Sequence, residues 1–196
     1  RSGLMKPLYI KKLESITTYC LLDGAQLDDR LPEAMNFQTA INSLYRGVSK
    51  EKIEEVGPFL SKVNMGFFDW FTGNGWGNNW GVFISTNASF AGLYNHFRRF
   101  LIVKTEAGKR LYFRFYDPRV LRVFLPTCTS GELEEFFGPI DYYICEDENP
   151  DHALVFTLEG GKLNTEIIDL TKEQQLEFIL PKQEDKMKRE SEDIIV

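Results

Sequence analysis

Histidine and cysteine are scarce in this sequence, which has only His96 and His152, and Cys20, Cys128 and Cys145, among 196 residues. The cysteines are widely spaced, form no C-x-x-C pair and have no histidine at metal-ligand spacing. We therefore expect neither a disulfide framework nor a zinc site. Each cysteine lies among apolar neighbours, which predicts buried thiols in a reducing compartment. Both histidines are interpreted as packed or surface side chains.

Sequence motifs of common catalytic sites are also missing. There is no G-x-S-x-G, no H-E-x-x-H and no phosphate-binding G-x-x-x-x-G-K-[ST]. The glycine-rich residues 73–77 precede a predicted strand, whereas nucleotide-binding glycine loops follow a strand and open a helix. The residues thus indicate no catalytic, cofactor or metal site. A small enzyme of unrecorded type, acting on a small molecule or nucleic acid, is kept as the alternative function.

No apolar run approaches the roughly 20 residues that a membrane-spanning helix needs, and the first residues lack the apolar core of a signal peptide. We therefore expect a cytoplasmic protein without a membrane partner. The net charge of −6 argues against nucleic acid as a partner, because phosphate binding needs concentrated Lys and Arg.

The charge is unevenly distributed along the chain. Residues 98–122 contain eight basic and two acidic residues, whereas residues 132–151 contain eight acidic residues and no Lys or Arg. Such an asymmetry can steer a protein partner into place. The two stretches can equally well neutralise one another within the fold.

Periodicity and turn residues predict an α/β (α+β) fold, in which flanking helices cover a mixed β-sheet and a C-terminal hairpin and helical tail follow. The predicted strands cover residues 18–22, 59–63, 81–85, 101–103, 110–116, 140–145, 153–158 and 162–170. The predicted helices cover residues 27–35, 50–56, 89–100, 118–125, 130–137 and 172–180. Residues 66–80, rich in aromatics and glycine, are predicted to form a tight, exposed loop. Trp76 and Trp80 in this segment are either packing anchors or a recognition surface.

Two of the predicted helices begin at residues that are suited to cap a helix N-terminus. Asp117 can cap free N–H groups, and Pro118 has the backbone geometry of a first helical position. Thr129 and Glu132 have the spacing of a capping box for the next helix, which Gly138 ends.

A candidate partner-binding surface follows from alternation along the strand 110–116, because every second side chain shares a face. Arg119 and Arg122, three apart on a helix, are expected to extend this face. Arg and Tyr are favoured at protein interfaces. The alternative is that Arg114 and Arg119 are held by Asp117 or by the acidic stretch after Glu132. The predicted surface consists of Arg110, Tyr112, Arg114, Tyr116, Arg119 and Arg122, with Trp76 and Trp80 as the next candidates.

The segment L-Y-F-R-F-Y-D-P-R-V-L-R-V-F-L at 111–125, together with E-E-F-F-G-P-I at 134–140, closely resembles a bacterial family called domain of unknown function 4123. Upstream, L-D-G-A at 22–25, S-L-Y at 43–45, G-P-F-L at 57–60 and the strand at 80–85 resemble its other landmarks in the same order. The resemblance covers about residues 18–142.

The resemblance implies an adaptor chaperone that binds a cognate type VI secretion toxin and helps place it on the VgrG spike. We therefore expect an adaptor domain over residues 5–145. The residue pattern, and not the resemblance, predicts a C-terminal hairpin and helix over 146–181 and a charged tail over 182–196. The tail is predicted to be dispensable for folding, because its charge density leaves few residues to bury.

Overall fold

The computed structural model describes residues 17–37, 40–45, 57–105 and 107–171. The predicted helices at 50–56 and 172–180 and the tail at 182–196 lie outside these residues. Short 3-10 turns follow the first and fifth helices of the described part. Its strands and helices are β1 (Thr17–Asp23), α1 (Gly24–Leu27), α2 (Leu31–Met35), β2 (Ile41–Ser43), β3 (Pro58–Lys62), α3 (Met65–Asn74), β4 (Gly81–Thr86), α4 (Phe90–Arg98), β5 (Ile102–Lys104), β6 (Arg110–Tyr112), α5 (Pro118–Phe124), α6 (Ser130–Phe137), β7 (Tyr142–Glu146), β8 (His152–Glu159) and β9 (Lys162–Asp169).

Seven strands form one sheet in the order β2-β3-β1-β4-β7-β8-β9, and β5 and β6 form a separate two-stranded sheet. The α+β class is therefore confirmed. The expectation of a mixed sheet is wrong for the described strands, because all of their pairings are antiparallel. The strands β3 and β4, joined through α3, do run in the same direction, but β1 lies between them. The predicted hairpin of β8 and β9 is confirmed and extends this same sheet.

Both faces of the central strand β1 are buried, as its continuous apolar run predicts. Tyr19 and Leu21 pack into the core on one face, whereas Cys20 and Leu22 pack into the core on the other. This follows from the two-residue period of a strand. The side chains of α4 and α6 cover the first face and those of α3 cover the second.

Residues 65–74 form helix α3, so the prediction of an exposed loop across 66–80 is wrong for this part. The side chain of Asn64 caps the helix by accepting a 2.8 Å hydrogen bond from the N–H of Phe67. Phe67, Phe68 and Phe71 are buried, and this burial outweighs the low helix propensity of the two glycines in the segment. Only residues 75–79 form a turn.

The strand predicted over 110–116 ends at Tyr112, and its second half is a turn that leads into α5. Phe115 and Tyr116 are neighbours in sequence, yet both are buried. The predicted alternation therefore fails after residue 112, and Tyr116 does not share an exposed face with Tyr112. Leu111 lies on the opposite face of the strand from Tyr112, and it is exposed as well because β5 and β6 form a sheet separate from the main one.

The predicted helix starts are confirmed. Asp117 Oδ1 accepts a 3.0 Å hydrogen bond from the N–H of Arg119, and Pro118 is the first residue of α5. Thr129 and Glu132 form the reciprocal bonds of a capping box at α6. The helix ends at Phe137, before a glycine with φ of +49°.

All three cysteines are free thiols, as predicted. Cys20 and Cys145 are fully buried, as predicted, whereas Cys128 is half-buried, so the prediction of a buried thiol is wrong at this position. Burial raises the pKa of the Cys20 thiol well above its usual value. The buried thiol is therefore held in its neutral, unreactive form.

Candidate partner-binding surface

Four charged side chains meet where the end of β1 approaches the start of α5, and we call them the Asp–Arg cluster. Arg114 Nη2 donates a 2.5 Å hydrogen bond to Asp23 Oδ2 and lies 3.4 Å from Asp117 Oδ2. Arg119 Nε and Nη2 donate to the two carboxylate oxygens of Asp117 at 3.0 and 2.8 Å. The cluster contains two negative and two positive groups.

Burial makes this pairing necessary, because an unpaired carboxylate inside a protein is strongly unfavourable. The carboxylate side chains of Asp23 and Asp117 are only 1% and 3% exposed. Asp23 also accepts a 3.1 Å hydrogen bond from the N–H of Ala25, so it caps α1 as Asp117 caps α5. The hydrogen bond to Asp23 raises the pKa of Arg114, and the hydrogen bond to Asp117 raises that of Arg119. Both guanidinium groups therefore stay charged.

The two arginines are nevertheless open to solvent, with side chains that are 41% and 46% exposed for Arg114 and Arg119. Within the described residues, no hydrogen bond or ion pair uses the Nη1 atom of either side chain. Each guanidinium is thus held through only part of its donor groups, and its Nη1 has no partner among the described residues. Such a group can donate hydrogen bonds to a carboxylate or a carbonyl oxygen of a partner with little further loss of conformational freedom.

Two tyrosines continue this surface. Tyr112 is 59% exposed, and its ring packs edge-on against Tyr45, with 5.7 Å between the ring centroids. Tyr45 also interacts with the buried Tyr116, whose pKa is raised first by burial and further by Tyr45 and by the charge of Asp23. Tyr112, Tyr45, Arg114 and Arg119 therefore lie on one connected stretch, which we call the Tyr–Arg surface.

Sequence reasoning missed Asp23 and Tyr45 as members of this site. Both lie in short motifs that carry the family resemblance, L-D-G-A and S-L-Y. Their position in these motifs was the sequence signal that could have identified them as site residues. The pairing of Asp23 with Arg114 could not be predicted from spacing, because the two residues are 91 positions apart in the chain.

Arg122 does not extend the surface, contrary to the prediction. Its side chain is only 15% exposed, with Nη1 3.5 Å from the carbonyl oxygen of Glu146 and Nη2 3.8 Å from Glu148 Oε1. Arg119 binds Asp117 instead, so the two arginines of α5 have different partners. Asp117 holds Arg119 and lies beside Arg114, as the alternative interpretation has it, whereas the arginine that the acidic stretch contacts is Arg122.

The tryptophans of the glycine-rich segment are packing residues. Trp80 is buried, and its ring lies 5.3 Å from that of Trp70 between centroids. Trp76 is half-buried, and its Nε1 donates a 2.8 Å hydrogen bond to the carbonyl of Pro150. The packing interpretation is therefore the correct one for Trp80, which offers little surface to a partner.

The turn after α3 is stabilised by hydrogen bonds to the carboxylate of Glu146. Glu146 is buried and accepts hydrogen bonds from the N–H groups of Gly77 and Asn79, at 2.5 and 2.7 Å. Burial raises the pKa of Glu146, and the two N–H groups act against this shift. Glu146, a residue of the acidic stretch, therefore stabilises the fold from within.

Arg110 lies on the β5–β6 hairpin and is exposed, as predicted. In the register of the hairpin it stands opposite Lys104. Neither residue forms an ion pair within the part of the chain that the structure describes.

His96 is packed, in agreement with its prediction. Its Nε2 lies 2.8 Å from the carbonyl oxygen of Phe136, and its Nδ1 lies 2.9 Å from Arg99 Nη2. A carbonyl only accepts and a guanidinium only donates, so these contacts assign the proton to Nε2. Burial lowers the pKa of His96, which favours this neutral ring.

Among residues 17–37, 40–45, 57–105 and 107–171, no group of three His, Cys, Asp or Glu side chains is placed to hold a metal ion. None of the helices in these ranges is long and apolar enough to cross a membrane.

Comparison with protein families identifies a family for this chain. The model of the family described as Domain of unknown function (DUF4123) matches residues 18–135, which is more than half of the chain. Comparison with curated proteins and with solved structures found no significant match. The matched range contains the whole Asp–Arg cluster and the β5–β6 hairpin. This chain belongs to the DUF4123 family.

Proposed function

We propose that this protein is a non-enzymatic adaptor chaperone of the cytoplasm, which binds a cognate type VI secretion toxin and helps load it onto the VgrG spike. Membership of the DUF4123 family supports the proposal, together with the resemblance of residues 18–142 to adaptor chaperones. The observation that carries it is the Tyr–Arg surface, where charged and aromatic side chains are both exposed and fixed.

An adaptor needs a rigid contact surface, because ordering side chains on binding consumes affinity. Arg114 and Arg119 meet this need, since buried carboxylates hold them while about two fifths of each side chain remains exposed. Tyr112 lies on the same stretch with its ring braced by Tyr45. Arg and Tyr are enriched among the residues that dominate binding energies at protein interfaces.

The charge of the surface favours specificity. Asp23 and Asp117 compensate Arg114 and Arg119, so the cluster tolerates burial under a partner without leaving an unpaired charge. A toxin with carbonyl or carboxylate groups at matching positions gains directional hydrogen bonds there. A protein lacking them gains only weak contacts.

The proposal is tested in the bacterium by deleting this gene and following the toxin encoded beside it. Loss of the adaptor should prevent this toxin from reaching the culture medium, while the VgrG spike and unrelated effectors are still exported. Wild-type chain supplied on a plasmid should restore export, and the Tyr112→Ala variant should restore it poorly. Normal export of the toxin from the deletion strain would refute the adaptor function.

A further inference from the structure

The β5–β6 hairpin, residues 102–112, stands apart from the seven-stranded sheet, and we call it the arm. The register pairs Ile102 with Tyr112 and Val103 with Leu111, so the two pairs lie on opposite faces. All four side chains are exposed. A hairpin with apolar residues open on both faces is unusual, because a two-stranded sheet is only marginally stable by itself. Exposed apolar groups of this kind mark interaction sites.

The base of the arm is firmly attached to the domain. Phe113 N–H donates a 3.0 Å hydrogen bond to the carbonyl of the buried Leu101, and the Phe113 ring lies 4.6 Å from that of Phe124 between centroids. At the tip, Thr105 N–H donates to the carbonyl of Lys109 at 2.9 Å. The arm is therefore anchored at its base and closed at its tip, without a core of its own.

The arm is positive on a negative protein. It contains Lys104, Lys109 and Arg110 against the single acid Glu106, whereas the whole chain has a net charge of −6. An acidic partner segment is thus attracted to the arm and repelled by most of the remaining chain.

One pair of basic residues within the arm is suited to bind an anion. Lys104 and Arg110 stand opposite each other in the register and share the face of Ile102 and Tyr112. Like charges directly across two strands destabilise a hairpin. A carboxylate placed beside them removes this repulsion, so the hairpin itself gains stability when an acidic segment binds.

We propose that the arm binds an acidic, extended segment of its partner, which adds to it as a third strand. The inference rests on the proposed function for the partner's identity, a toxin, and goes beyond it in naming the chemistry recognised. Strand addition satisfies exposed backbone groups along a hairpin edge, and alternate side chains give specificity. The register defines three consecutive partner residues. For a segment added antiparallel to β6, an apolar residue lies beside Tyr112, a second lies beside Leu111, and an Asp or Glu follows beside Arg110. The paired β5 residues Ile102, Val103 and Lys104 lie one strand further away.

The test uses synthetic peptides and the full chain, read by fluorescence anisotropy. One peptide carries Val-Val-Glu between Ser and Thr residues, and its matched control carries Val-Val-Lys. The wild-type chain should bind the Glu peptide roughly tenfold more tightly, and salt at about 0.5 M should weaken this binding. Lys104→Glu combined with Arg110→Glu should reverse the preference. Lys62→Glu combined with Lys162→Glu changes the net charge equally, outside the arm, and should leave the preference unchanged.

The inference is overturned if the wild-type chain does not bind the Glu peptide, or if the arm variant, folded by circular dichroism, binds it as wild type does. Failure of the adaptor proposal looks different. If the toxin binds wild type and the arm variant equally, only the arm inference fails. If the toxin never binds the wild-type chain, the adaptor proposal fails, and the peptide result still decides whether the arm recognises acidic strands.

Discussion

Arg114 donates a 2.5 Å hydrogen bond to Asp23, a residue 91 positions earlier in the chain. The contact joins the end of β1 to the turn before α5, and both residues lie within the matched family range. The same guanidinium remains 41% exposed. Stabilisation of the fold and presentation of a contact group are therefore combined in one side chain, and the two roles can be separated by mutation.

Replacement of Arg114 by Met should lower the free energy of unfolding by about 1–3 kcal/mol, because the buried Asp23 loses a charged partner. The exposure of the guanidinium favours the lower half of this range. Urea denaturation measures the change. Arg110→Met is the matched control, since Arg110 has no ion pair among the described residues, and its effect should stay within about 0.5 kcal/mol. Equal stability of the two variants would contradict the role of the Asp–Arg cluster.

Asp117 caps α5 and pairs with Arg119, and two substitutions should distinguish these roles. Asp117→Ala removes the cap of α5 and the partner of Arg119, and it should cost about 2 kcal/mol or more. Asp117→Asn keeps a capping oxygen but removes the charge, so it should cost less than the Ala substitution. Thermal and urea unfolding provide the measurement. A fully stable Ala variant would show that neither interaction matters.

Gly138 is predicted to tolerate no side chain. Its φ is +49°, and an added Cβ would meet the ring of His96, so Gly138→Ala should cost more than about 1 kcal/mol. Gly131 lies in α6, where an added Cβ meets nothing within 4 Å. Gly131→Ala should therefore stabilise the protein slightly, by up to about 1 kcal/mol. Chemical denaturation of both variants tests the contrast, and similar effects at the two positions would contradict it.

His96 should make stability depend on pH in a defined direction. Its pKa is lowered in the folded state by burial, so the unfolded chain binds the proton first. The associated stability is fully present above about pH 6.5 and is lost as the pH falls below that value. The unfolding free energy, measured between about pH 7 and pH 5, should fall less steeply for His96→Gln than for wild type. Identical slopes would exclude His96 as a source of this dependence.

Local interactions were predictable from sequence, whereas long-range ones were not. Asp117 caps a helix two residues away, and Thr129 pairs with Glu132, so residue types and spacing were sufficient to predict both contacts. Tyr116 was assigned to an exposed face because alternation was assumed to continue beyond Tyr112. The chain turns there instead, and packing in the core decides the position of Tyr116.

Only part of the candidate surface was predicted correctly, because the positions of its other residues depend on long-range contacts. Arg110 and Tyr112 are exposed as predicted, but Leu111 between them is exposed too, because the β5–β6 hairpin lies outside the main sheet. Arg122 has the right spacing from Arg119, but the β7 end and the loop after it approach α5 from elsewhere in the chain and contact its side chain. Spacing along a helix indicates which residues share a side of it. It does not indicate what that side packs against.

The central claim is that this chain binds a toxin as an adaptor, and the most direct test is co-purification with the toxin encoded beside its gene. The two proteins, co-expressed with a tag on this chain alone, should elute together from a size-exclusion column in a constant molar ratio. Tyr112→Ala should reduce the retained toxin at least about tenfold, as for a residue that dominates an interface. Ile167→Thr, an exposed substitution on the distant edge strand β9, should retain it fully. A well-folded wild-type chain that elutes without the toxin would contradict the account.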